Sequence, residues 1–194
     1  MVDASSSIGG QTHLQLVMDF VKSVYHEFLL ENGVRYGLVV FGSGIVEVAF
    51  GFSQYTSISD IDTAVANVTF IGGSCTAGIA LSKCHSELFQ RSANGRSRAL
   101  LVLIAGASPG DLSVPAVFLR MCGVKIIAVG IGALVQESQL IQMAYPNSYV
   151  IRTSSTRGLI DISLSVANLI AQGCYFLHGL FIYYIPQTYT GEIL

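Results

Sequence analysis

Charge is what this 194-residue sequence has least of: Asp, Glu, Lys and Arg make up 11% of it and the net charge is -2. Without a basic block there is no electrostatic footprint for a phosphate backbone or an anionic membrane, so nucleic acid is not an expected partner. The four cysteines, Cys75, Cys84, Cys122 and Cys174, lack the paired short spacing of a zinc site or a thioredoxin-like motif and read as small buried hydrophobes. The start, MVDASSSIGG, has no charged leader followed by an apolar stretch, so no signal peptide is expected on the chain itself. The most apolar late segment, Cys174 to Ile185 (CYFLHGLFIYYI), falls short of the roughly 18 residues needed to cross a bilayer, so no membrane span is expected.

Catalytic constellations are missing as well. The four histidines, His13, His26, His85 and His178, stand singly, and Cys84 and His85 are helix neighbours whose side chains diverge. No hydrolase elbow or P-loop occurs, and Gly42-Ser43-Gly44 and Gly130-Ile131-Gly132 lack the full nucleotide-loop fingerprint and read as turns. No catalytic residue is assigned and no enzyme is expected. Arg91, Arg96 and Arg98 around Asn94-Gly95 read as a solvated loop rather than a docking patch.

What the chain has is apolar residues, 52% of the total, enough for one large core. Paired apolar residues from Leu14 to Leu30 predict a helix stopped by Asn32-Gly33. Val34 to Phe41 and Gly44 to Phe50 predict a hairpin whose second, alternating strand suits a half-exposed edge. Ser59 to Val68 predicts a helix with Ser59 as N-cap, and Ala77 to Phe89 another. Arg98 to Ile104 and Val124 to Ile131 are continuous apolar runs, the mark of parallel strands covered on both faces. Helices are predicted at Ser113 to Met121, Gln136 to Ala144 and Thr156 to Gln172, with a strand at Ser148 to Arg152. The alternation implies an α/β doubly wound, mostly parallel sheet, Rossmann-like and three-layered, with one antiparallel edge strand and helices on both faces.

Ligand sites in open α/β sheets form in loops at the carboxyl ends of strands, here Asp3 to Ser7, Gly72 to Thr76 and Ala105 to Ser108, which should converge on one rim. The first loop, Asp3-Ala4-Ser5-Ser6-Ser7, alternates oxygen side chains in a way that suits a hard cation such as magnesium. It equally suits a structural role: Ser5 or Ser7 capping the first helix, and Asp3 accepting backbone N–H bonds at its positive end.

The segments VDASSSIGG, VRYGLVVFGS, FIGGSCTAGIALS, RALLVLIAGASPGD, VKIIAVGIGA and Ala133 to Leu140 (ALVQESQL) resemble, in order and spacing, the von Willebrand factor type A domains of matrilins, fibrillar-associated collagens and type VI collagen. The resemblance runs from about Val2 to Cys174. It implies a metal-ion-dependent adhesion site in which an Asp and two Ser of the first loop, a Thr of the second and an Asp of the third hold a metal. Asp3, Ser5 and Ser7 match the first loop. Cys75 stands at the ligating Thr of the second loop with Thr76 one position late, and Ala105 stands at the Asp of the third. Asp111 lies too far along to substitute.

A thiol is a poor magnesium ligand and a methyl group is none, so the resemblance implies binding or assembly without the metal. No cofactor is expected. Magnesium held by Asp3, Ser5 and Ser7 is the alternative, with Asp3, Ser5, Ser7 and Thr76 as the ligand-binding residues in either case.

The implied function is a secreted, extracellular protein-binding module of matrix or cell adhesion, with a matrix protein such as a collagen as partner and Asn67 of the Asn67-Val68-Thr69 sequon glycosylated. The alternatives are an intracellular type A scaffold for complex assembly and a subunit coupled to an ATP-driven enzyme.

Two departures stand out. Family members begin with a long central strand, of which only Met1 and Val2 are present, so the domain, 1–174, reads as truncated at its first strand and is expected to fold poorly for want of backbone partners. Residues 175–194 read as an apolar tail of unknown role, whose aromatics are candidates to fill the slot, and Cys174 has no obvious partner.

Overall fold

A computed structural model of the chain describes residues 1–90, 96–172 and 191–194. Among the described residues the predicted alternation appears as eight strands and six α-helices. The strands are β1 (Val2–Asp3), β2 (Arg35–Tyr36), β3 (Leu38–Gly42), β4 (Ile45–Phe50), β5 (Ser97–Ile104), β6 (Val124–Ile131), β7 (Val150–Thr153) and β8 (Gly191–Ile193). The helices are α1 (Gln11–Tyr25), α2 (Ile58–Ala66), α3 (Ala77–Lys83), α4 (Ser113–Met121), α5 (Glu137–Met143) and α6 (Ser163–Ala171). All strand pairs are parallel except the β3–β4 hairpin. β4 is the half-exposed edge, because its pattern alternates, while β5 and β6 are buried along most of their length.

Helices α1, α2 and α6 cover one face of the sheet, which buries Val17, Phe20, Val24, Ile61 and Ile170 together with Leu101 and Val129. Helices α3, α4 and α5 cover the other, with Leu81, Leu119 and Leu140 against Leu100, Val102 and Ile126. Successive residues of β5 thus feed opposite cores, as the pleat requires.

Boundaries differ from the pattern reading where local hydrogen bonding overrides periodicity. Helix α1 ends at Tyr25, and Leu30–Asn32 form a separate 3₁₀ turn closed by Gly33 at φ 77. The N-cap of α2 is Ser57, whose hydroxyl accepts from the Asp60 N–H, and not Ser59, which lies inside the helix. The predicted helix 77–89 turns from α to π winding at Cys84, and the closing helix begins as a 3₁₀ segment, Thr156–Ile162.

The first strand is as short as expected, Val2–Asp3, and other residues lie in line with it. β8 pairs with β5 and with β2, in line with β1, so the slot is filled by Gly191–Leu194. These four residues lie in the sheet, beyond position 174. The aromatics of the tail and Cys174 lie outside the described residues. The Arg cluster divides: Arg96 donates to the Gly33 carbonyl at 2.7 Å, Arg98 faces Glu192 of β8, and Arg91 lies outside the described residues.

Candidate functional site

The three loops meet at one rim, and backbone hydrogen bonds tie them. Ile71 and Gly72 N–H both donate to the Ala4 carbonyl at 3.1 and 2.9 Å, and Ser6 N–H donates to Gly73 O at 2.9 Å. The hairpin turn joins them, with Ser43 N–H on Ser74 O at 2.8 Å. Gly106 permits the third loop to approach the first: a Cβ there would lie 2.1 Å from Ser7 Oγ.

Asp3 is fully buried at the end of β1. Its Oδ1 accepts the Ser5 N–H at 2.9 Å and its Oδ2 accepts the Ala105 N–H at 3.0 Å. The carboxylate thus clasps the first loop to the third, through the backbone of the residue that stands where the family carries a second acid. Ser5 caps the short 3₁₀ turn Ser6–Ile8, its Oγ accepting the Ser7 N–H at 3.3 Å, and helix α1 itself starts after Gly10 without a side-chain cap.

Cys75 is buried beside Asp3, and its thiol is pushed up to about 12, by burial first and by the neighbouring Asp3 charge second. At neutral pH it is therefore a protonated thiol. The Thr76 hydroxyl, at the N-terminus of α3, is buried with no hydrogen-bond partner among the described residues. Asp111 is turned to solvent and spent on Ser113, whose N–H and Oγ donate to its Oδ1 at 2.9 and 2.7 Å, and these bonds hold its pKa below the usual carboxylate value.

The rim thus carries one carboxylate already accepting two N–H bonds, the hydroxyls of Ser5, Ser7 and Thr76, and a neutral thiol. The reading from sequence brought together Asp3, Ser5, Ser7, Cys75, Thr76 and Ala105, and the structure places all of them here. It did not single out Gln139 on α5, a buried amide that clasps Ser108: Oε1 accepts the Ser108 N–H at 3.0 Å and Nε2 donates to the Ser108 carbonyl at 2.5 Å. Ser108 Oγ in turn accepts the Ala77 N–H at 3.0 Å, so this relay holds the third loop against α3. The signal was a polar residue on the inward stripe of α5, beside Leu140 and Met143.

The von Willebrand factor type A family model matches residues 1–164, nearly the whole of the sheet and all three loops. The chain belongs to that family. Among its relatives, human von Willebrand factor A domain-containing protein 2 is 32% identical over 159 residues, which cover 80% of this chain and 21% of that protein. The mouse collagen alpha-4(VI) chain is 33% identical over 133 residues, 68% of this chain and 6% of that one. The type A domain seen here is thus a small share of the length of the curated proteins it matches.

Among solved structures, proximal thread matrix protein 1 from the mussel byssus superposes with a TM-score of 0.81 at 27% identity, covering 87% of this chain and 46% of that one. That protein has also been solved with zinc in its metal-ion-dependent adhesion motif, at a TM-score of 0.79. These likenesses place the chain in the matrilin and type VI collagen group of type A domains.

Proposed function

We propose that this type A domain is a non-enzymatic, extracellular protein-binding module that engages a matrix protein of the collagen class through the Asp3 rim, without a resident divalent cation. The observation that carries the reading is the Asp3 clasp: both carboxylate oxygens accept backbone N–H groups, one of them from Ala105. In a site built around a metal, the cation holds the loops together. Here the backbone bonds of Asp3 hold them.

The donor set does not fit a resident magnesium ion. Magnesium demands a near-ideal octahedral oxygen shell and is usually held through one or two carboxylates, and the one carboxylate at this rim among the described residues is already shared between two donors. Zinc, found in the mussel relative's motif, favours clusters of thiolate, imidazole or carboxylate, and among the described residues no three His, Cys, Asp or Glu side chains come together to hold a metal. Extracellular placement is supported by the likeness to a collagen chain and by Asn67, which sits exposed at the C-cap of α2 where a glycosyl transferase can reach it.

The test is surface plasmon resonance against immobilised collagens and matrix extracts, run in EDTA and in magnesium. The expected result is binding that EDTA leaves unchanged and that Ser6→Arg or Ala107→Arg, both at exposed rim positions, weakens at least tenfold, about 1.4 kcal/mol. Binding that EDTA abolishes would contradict the metal-independent reading; binding insensitive to both rim substitutions would place the partner elsewhere.

A further inference from the structure

Helices α1 and α4 cover opposite faces of the sheet and differ in what they turn outward. The exposed positions of α1 are polar: Gln11, Thr12, His13, Asp19 and Lys22. That is the ordinary arrangement of a surface helix. Helix α4 is apolar on both sides. Ala116 and Leu119 are buried against the sheet, while Val114, Val117, Phe118 and Met121 are 55%, 42%, 52% and 78% exposed. Their spacing, i, i+3, i+4 and i+7, sets the four in one stripe along the outer side of the helix.

The stripe broadens over the neighbouring helices, because α4 packs against both α3 and α5. Ile79 of α3 and Ile141 of α5 are 55% and 40% exposed. A Cβ on Gly78, the residue before Ile79, would touch Leu112 at the head of α4, and Arg120 of α4 reaches the carbonyls of Gln142 and Met143, just past Ile141. The ring of His85, from the π-wound segment, lies 5.9 Å from that of Phe118.

Area and charge together limit what can cover this face. At about half exposure the six apolar side chains present on the order of 500 Å², the scale of the largest patches that monomeric proteins leave bare. A standard interface buries about 800 Å² per partner, about 65% of it apolar in homodimers, which is again on the order of 500 Å². No charged side chain stands in the stripe among the described residues, and those that flank it are engaged within the chain. Arg120 donates to the carbonyls of Gln142 and Met143 at 3.3 and 2.7 Å, and Lys83 to the carbonyl of Val46 at 2.8 Å. Glu87 pairs with Lys83 at 3.7 Å and Glu137 with Arg152 at 3.5 Å.

We propose that this face is an interface between two copies of the domain, with α4 of one set against α4 of the other about a two-fold axis. Interfaces between unlike proteins are about as polar as ordinary surface and draw their specificity from complementary charge, whereas homodimer interfaces are the apolar class. A second copy is the occupant that matches: the stripe set against itself meets apolar surface of its own size and no like charge, and the two-fold arrangement covers both copies with one patch. This inference does not rest on what the rim binds.

The test is sedimentation velocity on the full chain from about 1 µM to about 1 mM. The expected result is a monomer–dimer equilibrium whose dissociation constant rises roughly tenfold or more in Val117→Glu and in Met121→Glu. It should be unchanged in Leu164→Glu, an equally exposed apolar position on α6 in the opposite layer. Each substitution falls at an exposed helical position, so far-UV circular dichroism of the variants should match the parent chain, and Met121→Glu decides if Val117→Glu fails to fold.

A parent chain that stays monomeric across that range would overturn the proposal, whether the face is left bare or covered by something other than a copy. A dimer that keeps its dissociation constant in the folded α4 variants, or that Leu164→Glu weakens as much, overturns it as well.

Discussion

Two buried carboxylates sit on the two halves of one strand and are treated in opposite ways. Asp3, at the upper end, is fully buried and accepts two backbone N–H bonds. Glu192, in the lower half, is as deeply buried and accepts no hydrogen bond among the described residues, with the Arg98 guanidinium 3.7 Å away. Burial of a charged group costs several kcal/mol unless bonds replace its hydration, so the first carboxylate organises its surroundings while the second is carried by them. The carboxylate at the rim is thus tied into the backbone around it, and the one on Gly191–Ile193 is not, among the described residues.

The largest effect expected from this contrast is at Asp3. Asp3→Ala leaves two buried N–H groups without acceptors, at about 1–3 kcal/mol each, and should lower stability by about 3 kcal/mol in urea denaturation. Glu192→Gln should change it by less than about 1 kcal/mol in either direction, because a buried pair without hydrogen bonds contributes little net stability. Equal losses at both positions would break the comparison.

Glycines give a second version of the same contrast. At Gly106 an added Cβ would lie 2.1 Å from Ser7 Oγ and 2.6 Å from Ser7 Cβ, whereas at Gly37 it would lie 2.8 Å from the tip of Leu194, which borders an apolar cavity. Gly106→Ala should therefore cost about 2 kcal/mol by overpacking a tied loop, and Gly37→Ala less than half of that. Thermal denaturation of the two variants side by side measures the difference.

The smallest effect concerns a half-buried cluster away from both carboxylates, which serves as reference. Burial raises the Asp62 pKa, but hydrogen bonds with His26, Tyr25 and Lys22 outweigh it and bring the carboxyl down from 3.8 to about 2. A depressed carboxylate contributes stability that is present above the unfolded value and lost as pH falls through the folded one. Asp62→Asn should therefore lower the melting temperature slightly at pH 7, with the deficit shrinking between about pH 4 and about pH 2.

Much of this was legible in the sequence, and the reasons are physical. Continuous apolar runs such as Val124 to Ile131 have no other stable home than a strand covered on both faces, so the layered sheet followed from pattern alone. The rim followed from topology, and the loss of the second acid from a single position, Ala105. The role of the Ala105 backbone could not be read, because every residue offers an N–H and only the fold aims this one at Asp3.

The strand Gly191–Ile193 was missed for a similar reason. So few residues show no period, and parallel pairing with the distant strands β5 and β2 leaves no local trace. The Ser57 cap was misplaced by two residues because Ser57 and Ser59 have the same chemistry, and only backbone geometry decides between them.

The account turns on a rim held by Asp3 in place of a metal, and calorimetric titration of magnesium, manganese and zinc into the full chain tests it most directly. The expected result is no saturable heat for any of the three at neutral pH. Micromolar binding of one of them, accompanied by a rise in melting temperature, would contradict it.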